Sequence, residues 1–291
     1  FRNYLEALRQ QAGIPGLAAA IVSGSEVVWE HAFGQQNVER AVPTRTDTPF
    51  RVDGLTEILT SALVLRCVEE GRIALDDPID AFTPAGESRA GAGGSSSLTL
   101  RDILLHATGG AAPERPGFAY APERLNRLTP VIERCAGEPL LGAFANLLDR
   151  LAMFDSVPGT DVVTREPDPE VAPGPEALAR YARVLDRLAT SYTVDRRGRA
   201  TPVLLVSGAL QPATGLVSTA RDLAAFVTAL RQGLLLRPET LVAAWTPPAG
   251  IDGLPLPHGL GWFVHVHNGE AVVWQFGLGN HASSRLVVSV P

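Results

Sequence analysis

The sequence predicts an α+β fold, with one antiparallel sheet flanked by helices plus an all-helical lobe. Three observations predict it. Strand-like runs gather at the two ends of the chain, "GLAAAIV" and "EVVWEHAF" near the start and "GWFVHVHNGEAVVWQF" and "SSRLVVSV" near the finish. The section from about residue 111 to 198 is rich in Pro, Arg, Ala and Leu and holds helical pieces with almost no β-rich run. Hairpin-type turns, not helices, join the end strands, which is the segregated pattern of an α+β protein. Residues 1–49 and 200–291 therefore form one discontinuous lobe carrying the sheet, and residues 50–199 form the helical lobe.

The elements follow in order. Phe1, Tyr4, Leu5, Leu8 and Ala12 recur at helical spacing and predict a short amphipathic helix, stopped by Gly13 and Pro15. "SGS" between two β-compatible runs predicts a hairpin. From Leu55 to Glu70 the apolar residues Ile58, Leu59, Ala62, Leu63, Leu65 and Val68 predict a largely buried helix, with Asp53 as its N-cap and Gly71 just past its end. Thr99 with Asp102 three residues on marks another helix start. "LLGAFANLLDRLAMF" and "GPEALARYARVLDRLA" supply helices to the middle section, where Tyr181 reads as packing. "STARDLAAFVTALRQG" offers Ser218 or Thr219 as cap and Gly233 as stop. Asn268-Gly269 between two strand-like runs is the strongest short hairpin signal, and "SSRLVVSV" adds a third strand.

Composition bounds the function. The chain has 291 residues, 45% hydrophobic and 19% charged, which describes a globular protein with a large core. A formal charge of −6 without a basic block excludes binding to a nucleic-acid backbone. No apolar run approaches the roughly 18 residues of a membrane span. Cys67 and Cys135 lack CxxC spacing, so neither a zinc site nor a disulfide framework is predicted and both read as small core residues. No cofactor and no metal are predicted: His265 and His267 share a face but lack a third ligand. All 25 basic residues are arginine, and arginine does not act as a general base where a buried lysine can.

Five ordered stretches carry a resemblance. "GIPGLAAAIVSGSEVVWEHAFG", "DTPFRVDGLTEILTSALVLRCVEEGRIALDDPI", "LTLRDILLHATGG", "ATGLVSTARDLAAFVTAL" and "HGLGWFV" with "VVWQFG" are similar to successive segments of the class C β-lactamase, penicillin-binding and esterase group of serine hydrolases. The resemblance covers almost the whole chain and implies that group's two-lobe fold. These are scaffold motifs, and fold alone does not fix function.

The chemistry that the resemblance implies is altered at each of its three elements. The family's SxxK pair, a serine nucleophile and its lysine base, falls on Gly54 and Glu57. A glycine offers no nucleophile, and no lysine exists elsewhere to replace the base. The Tyr-x-Asn triplet after a "PGT" turn falls on Thr164 and Glu166; a threonine hydroxyl is far less acidic than a phenol. The HxG or KTG strand motif falls on Gln275-Phe276-Gly277, where Gly277 keeps the close backbone approach and Gln275 keeps a hydrogen-bonding group without a titrating one.

The reading from these substitutions is a catalytically inactive family member that binds a small ligand or a protein partner through the former active-site cleft. Asp53, Glu57, Thr164, Glu166, Gln275, Gly277 and His281 are the candidate ligand-binding residues. Exchanging lysine for glutamate makes the pocket acidic, and two like charges about 4 Å apart cost on the order of 4 kcal/mol at an effective dielectric near 20, so the predicted ligand is neutral or cationic. Arg165 or Arg285 is the candidate to neutralise Glu57. His106 reads as a hydrogen-bonded structural histidine, and Trp262 and Trp274 as packing. Two alternatives stand beside this: a hydrolase or acyl-transfer-related enzyme working through Glu57, Glu166 or His281 without a covalent serine, and a structural or accessory domain.

The resemblance has one further implication. In the family the strand matching "SSRLVVSVP" is followed by another strand and a helix, so the final sheet edge here is expected to be covered by further chain, by self-association or by a partner, since bare edges invite pairing. The compartment is left open: periplasmic or secreted if a leader preceded Phe1, as in a bacterial-type member, and cytoplasmic otherwise.

Overall fold

The computed structural model describes residues 1–83, 98–108, 116–164, 173–204, 208–279 and 282–290. Arg165, Glu166 and His281 lie outside the described residues. The chain opens with helix α1 (Arg2–Gln11), then strands β1 (Gly16–Ser23) and β2 (Glu26–Asn37), paired antiparallel around Gly24 and Ser25, and the short β3 (Val42–Pro43). The short strand β4 (Phe50–Arg51) leads through a 3₁₀ turn, Asp53–Leu55, into α2 (Thr56–Glu69).

Helix α2 is the central post of the molecule. Every residue from Thr56 to Ala62 is buried, with Val64, Leu65 and Cys67 beyond. Its polar residues are satisfied inside: Thr60 Oγ1 donates to the Pro212 carbonyl (2.7 Å) and Ser61 Oγ to the Leu260 carbonyl (2.8 Å). Gly71 follows with a φ of 68°, the left-handed conformation that ends a helix without a Cβ penalty. Asp53 is not the expected side-chain cap. The helix has none; Asp53 begins the 3₁₀ turn with a φ of 43°, and Thr56 Oγ1 donates to its carbonyl (2.6 Å).

Helix α3 (Leu100–Leu104) starts on the expected capping box, with Thr99 accepting from the Asp102 amide and Asp102 accepting from the Thr99 amide. The hairpin strands β5 (Ala107–Thr108) and β6 (Gly117–Phe118) follow, then a 3₁₀ segment, Pro122–Leu128, and helices α4 (Thr129–Ala136) and α5 (Leu140–Arg150). Next come β7 (Val157–Pro158), α6 (Pro175–Leu185), β8 (Tyr192–Val194), β9 (Ala200–Pro202) and β10 (Leu216–Ser218). Tyr181 is fully buried beside Val157, Val184 and Val217, as packing requires. Helix α7 (Ala220–Arg231) is capped by Thr219, whose side chain accepts from the Asp222 amide, and α8 (Pro238–Ala244) precedes the last three strands.

Those strands are β11 (Phe263–His267), β12 (Glu270–Leu278) and β13 (Ser283–Val290), an antiparallel meander. Asn268 (φ 51°) and Gly269 (φ 84°) make the β11–β12 turn, as the sequence predicts. One expectation is corrected: the chain ends do not make one continuous sheet. β1-β2-β3 and β11-β12-β13 are separate three-stranded sheets, and β4-β10-β7 is a third. The main apolar cluster nevertheless runs from Val52 and α2 through α3, α4 and α5 to α7, α8, β12 and β13, beside the smaller cluster around Tyr181.

A second correction concerns the cysteines. Cys67 and Cys135 form a disulfide with a Cα–Cα distance of 6.1 Å. It joins the end of α2 to the end of α4 across a sequence separation of 68 residues. The enclosed loop contains the segment that supplies His106 and Tyr120.

Candidate functional site

The 3₁₀ turn and the first turn of α2 bring Gly54 and Glu57 against strand β12. Glu57 is fully buried. Its Oε1 accepts a 2.7 Å hydrogen bond from the Tyr120 hydroxyl, and its Oε2 accepts from Gln275 Nε2 at 3.2 Å. His106 Nε2 lies 3.3 Å from the same Oε2. The histidine tautomer follows from its other nitrogen: Nδ1 accepts the Ala121 amide (3.2 Å), so in the neutral ring Nε2 carries the proton and donates to Glu57. Three donors from three separate segments thus converge on one carboxylate.

Each donor is itself fixed. His106 sits just past α3 with a φ of 51°, a left-handed bend that turns the chain sharply and swings the imidazole toward α2. Gln275 is fully buried on β12, and its Oε1 accepts the Phe276 amide at 2.9 Å, so its amide nitrogen is oriented toward Glu57. Tyr120 follows β6 and packs against Phe263 and Phe276, with ring centroids 5.4 and 5.5 Å away. Burial, and then the Glu57 carboxylate beside it, push the Tyr120 phenol well above its ordinary range. It is therefore a donor, not a phenolate base. His258, 4.7 Å from the His106 ring, is pushed down to about 3 by burial and by His106, and donates through Nδ1 to the Gly259 carbonyl (2.6 Å). It stays neutral.

The nucleophile position is closed by backbone. A Cβ placed on Gly54 would lie 2.6 Å from the Phe276 carbonyl oxygen, closer than such contacts occur, and 3.3 Å from Glu57 Oε1. Gly277 likewise lets β12 approach the Val52 carbonyl, so the glycine retains the close-approach role expected of it. Ser284 Oγ donates to that same carbonyl (2.7 Å) and ties β13 in as well.

The remaining candidates lie elsewhere. Thr164 is exposed, and its hydroxyl donates to the Asp161 carbonyl (3.2 Å), away from Glu57. Asp53 faces Arg51 and the Gly279 amide; burial raises its carboxyl, against the lowering effect of those two partners. Arg285 does not neutralise Glu57: its guanidinium stacks 4.7 Å over the Trp274 ring. Trp274 stacks on Phe263 and donates to His265 Nδ1 (3.0 Å), and Trp262 is buried against Trp245.

A centre built this way, on a helix start facing a Gln-Phe-Gly strand, agrees with the matched family. The Beta-lactamase family model matches residues 1–153 and 154–288. The chain belongs to the Beta-lactamase family. Esterase EstB of Burkholderia gladioli is 25% identical over 302 residues, covering 88% of this chain and 75% of the esterase. The mitochondrial serine beta-lactamase-like protein LACTB of Bos taurus is 26% identical over 108 residues, 37% of this chain. The match spans 19% of LACTB's own length. Among solved structures, the octameric penicillin-binding protein homologue of Pyrococcus abyssi superimposes with a TM-score of 0.77 at 19% identity, over 99% of this chain and 70% of its own. The D-alanine carboxypeptidase AmpC of Burkholderia cenocepacia gives 0.73 at 19% identity, over 98% and 88%. Together these establish the β-lactamase/transpeptidase-like fold.

Of the candidate residues, the structure places Gly54, Glu57, Gln275 and Gly277 side by side. Tyr120 was not among the candidates. The available signal was slight, an aromatic pair Phe118-x-Tyr120 between two prolines in a segment otherwise read as helical.

Proposed function

We propose that this β-lactamase family chain is a non-catalytic member, acting by binding, and that its former catalytic centre now serves as a buried polar knot joining α2, the α3–β6 segment and β12. The observation that carries the reading is the environment of Glu57. A general base must reach the proton it removes, and here a fully buried carboxylate has its oxygens occupied by Tyr120, His106 and Gln275. With glycine at the serine position and no lysine in the chain, neither a covalent nor a simple base mechanism has its groups at this centre.

The same burial bears on the ligand. Glu57 and Gln275 do not front an open cleft, so an anion-repelling role for Glu57 in selecting a neutral or cationic ligand has little support, and a binding surface away from this centre fits better. The Cys67–Cys135 bridge favours an oxidising compartment, where such bonds persist.

The test is a panel of p-nitrophenyl esters and a chromogenic cephalosporin assayed with the full chain and Glu57→Gln. No turnover above the buffer rate is expected from either. Turnover by the unmodified chain that Glu57→Gln abolishes would establish the enzyme reading through Glu57 instead.

A further inference from the structure

Helix α7 carries a second face besides the one it buries. Arg221, Ala225, Thr228 and Gln232 fall at i, i+4, i+7 and i+11, on one side of the helix. The middle pair have small side chains, so α7 itself fills little of the space in front of them. A groove of about 450 Å³ lies there, walled by Leu147 and Leu151 at the end of α5 and by Val27 of β2. None of Glu57, His106, Tyr120 and Gln275 lines it. No free strand edge borders it either: Ser25 and Val27 sit at the closed end of the β1–β2 hairpin, where Ser23 pairs with Glu26 and Val22 with Val27.

The lining selects the occupant. The α7 stripe runs about 16 Å from Arg221 to Gln232 at about 1.5 Å rise per residue, long enough for an unbranched chain of roughly ten carbons. Val27 and Leu234 stand exposed at the groove, apolar surface that such a chain would cover. The charge selects the head group. No aspartate or glutamate is among the described lining residues, whereas Arg150 and Arg221 both are. Arg221 is committed: its Nε and Nη2 donate to the two carboxylate oxygens of Glu30. Arg150, exposed in the last turn of α5, makes no hydrogen bond or ion pair among the described residues. Its guanidinium therefore presents a free fork of donors, matched to the two oxygens of a carboxylate.

We propose that the groove between α5, α7 and the β1–β2 turn binds a medium-chain carboxylate, with its acyl chain laid along Ala225 and Thr228 against Leu147, Leu151 and Val27 and its head group paired with Arg150. Burial of the chain supplies affinity, and the single uncommitted arginine sets the sign and place of the head group. The proposal rests on the binding reading given above and deepens it by naming a ligand class for a surface away from Glu57. It is separable from that reading, because its readout is a titration at a different surface and not turnover.

The probe is sodium decanoate, titrated into the full chain by calorimetry below its micellar concentration. One saturable site is expected, with butyrate, which lacks the long chain, and decyltrimethylammonium, which reverses the charge, each at least ten-fold weaker. Arg150→Glu changes an exposed side chain and should leave the fold intact, weaken decanoate about ten-fold and favour decyltrimethylammonium. Ala225→Phe fills the floor of the groove and should abolish the site; thermal melts check that each variant is folded, and where Ala225→Phe is not, Arg150→Glu decides. Absence of saturable decanoate binding, equal binding of butyrate or decyltrimethylammonium, or decanoate binding that Arg150→Glu leaves unchanged would overturn the proposal. None of these results depends on whether the chain hydrolyses esters.

Discussion

Replacing Glu57 with alanine tests the polar knot from the inside. The change removes the common acceptor of Tyr120, His106 and Gln275 and leaves three donors facing a cavity on a fully buried part of α2. Each buried donor left without a partner costs about 1–3 kcal/mol. Water entering the cavity recovers part of that, so a total of about 3–5 kcal/mol is expected, the usual cost of removing one member of a buried charged group. At roughly 2–4 °C per kcal/mol for a domain of this size, melting falls by about 10 °C or more. Glu57→Gln behaves differently. Its oxygen still accepts from His106 and Gln275, and its amide nitrogen meets the Tyr120 hydroxyl, which can rotate to accept. Only charge assistance is lost, about 2 kcal/mol. Urea unfolding and thermal melts of the three proteins measure this. An alanine variant within 1 kcal/mol of the parent, or a glutamine variant less stable than the alanine one, would refute the reasoning.

Three further outcomes are expected. Gly54→Ser puts a Cβ 2.6 Å from the Phe276 carbonyl oxygen, so it should lower stability by about 1–3 kcal/mol in urea; the double variant with Glu57→Lys should gain no cephalosporin hydrolysis, because it sets a buried cation among three donors. Asp222, raised to about 6 chiefly by burial although Ser156 donates to it, stays protonated in the fold while the unfolded chain ionises near 3.8. Between these values the native state binds more protons, so stability falls as pH rises, by about 3 kcal/mol in all; Asp222→Asn should flatten that part of the profile in melts from pH 3.5 to 7, and a parallel profile would contradict it. Reducing the Cys67–Cys135 bridge, which spans 68 residues, should cost about 4 kcal/mol on the chain-entropy estimate. Melting with and without dithiothreitol reads this directly, and no shift would contradict it.

Much of this architecture was legible because it is written locally. The capping box at Thr99 and Asp102, the cap at Thr219, the stops at Gly71 and Gly233 and the Asn268-Gly269 turn are each decided within a few residues, and each stands where the spacing placed it. The Glu57 and Gln275 positions were legible through ordered family segments. What the sequence left out is decided by tertiary contact. Tyr120 reaches Glu57 only because the His106 bend and the β5–β6 hairpin fold back over α2. The disulfide depends on α2 packing against α4, which spacing rules for short cysteine motifs do not address. Asp53 was read as a cap from its type and place, yet the 3₁₀ turn aims it at Arg51 and Gly279 instead. The division into two end sheets depends on whether β1 and β13 meet, and no property of either strand alone decides that.

The central claim is that Glu57, itself fully buried, is held by three donors rather than poised for chemistry. ¹⁵N-histidine NMR tests this most directly, since it reports which nitrogen of His106 carries the proton and how fast that proton exchanges. A neutral ring protonated at Nε2, with slow exchange and unchanged shifts when a penicillin or an ester is added, is the predicted result. An Nδ1-protonated ring, or an Nε2 proton that exchanges rapidly and responds to either compound, would contradict it.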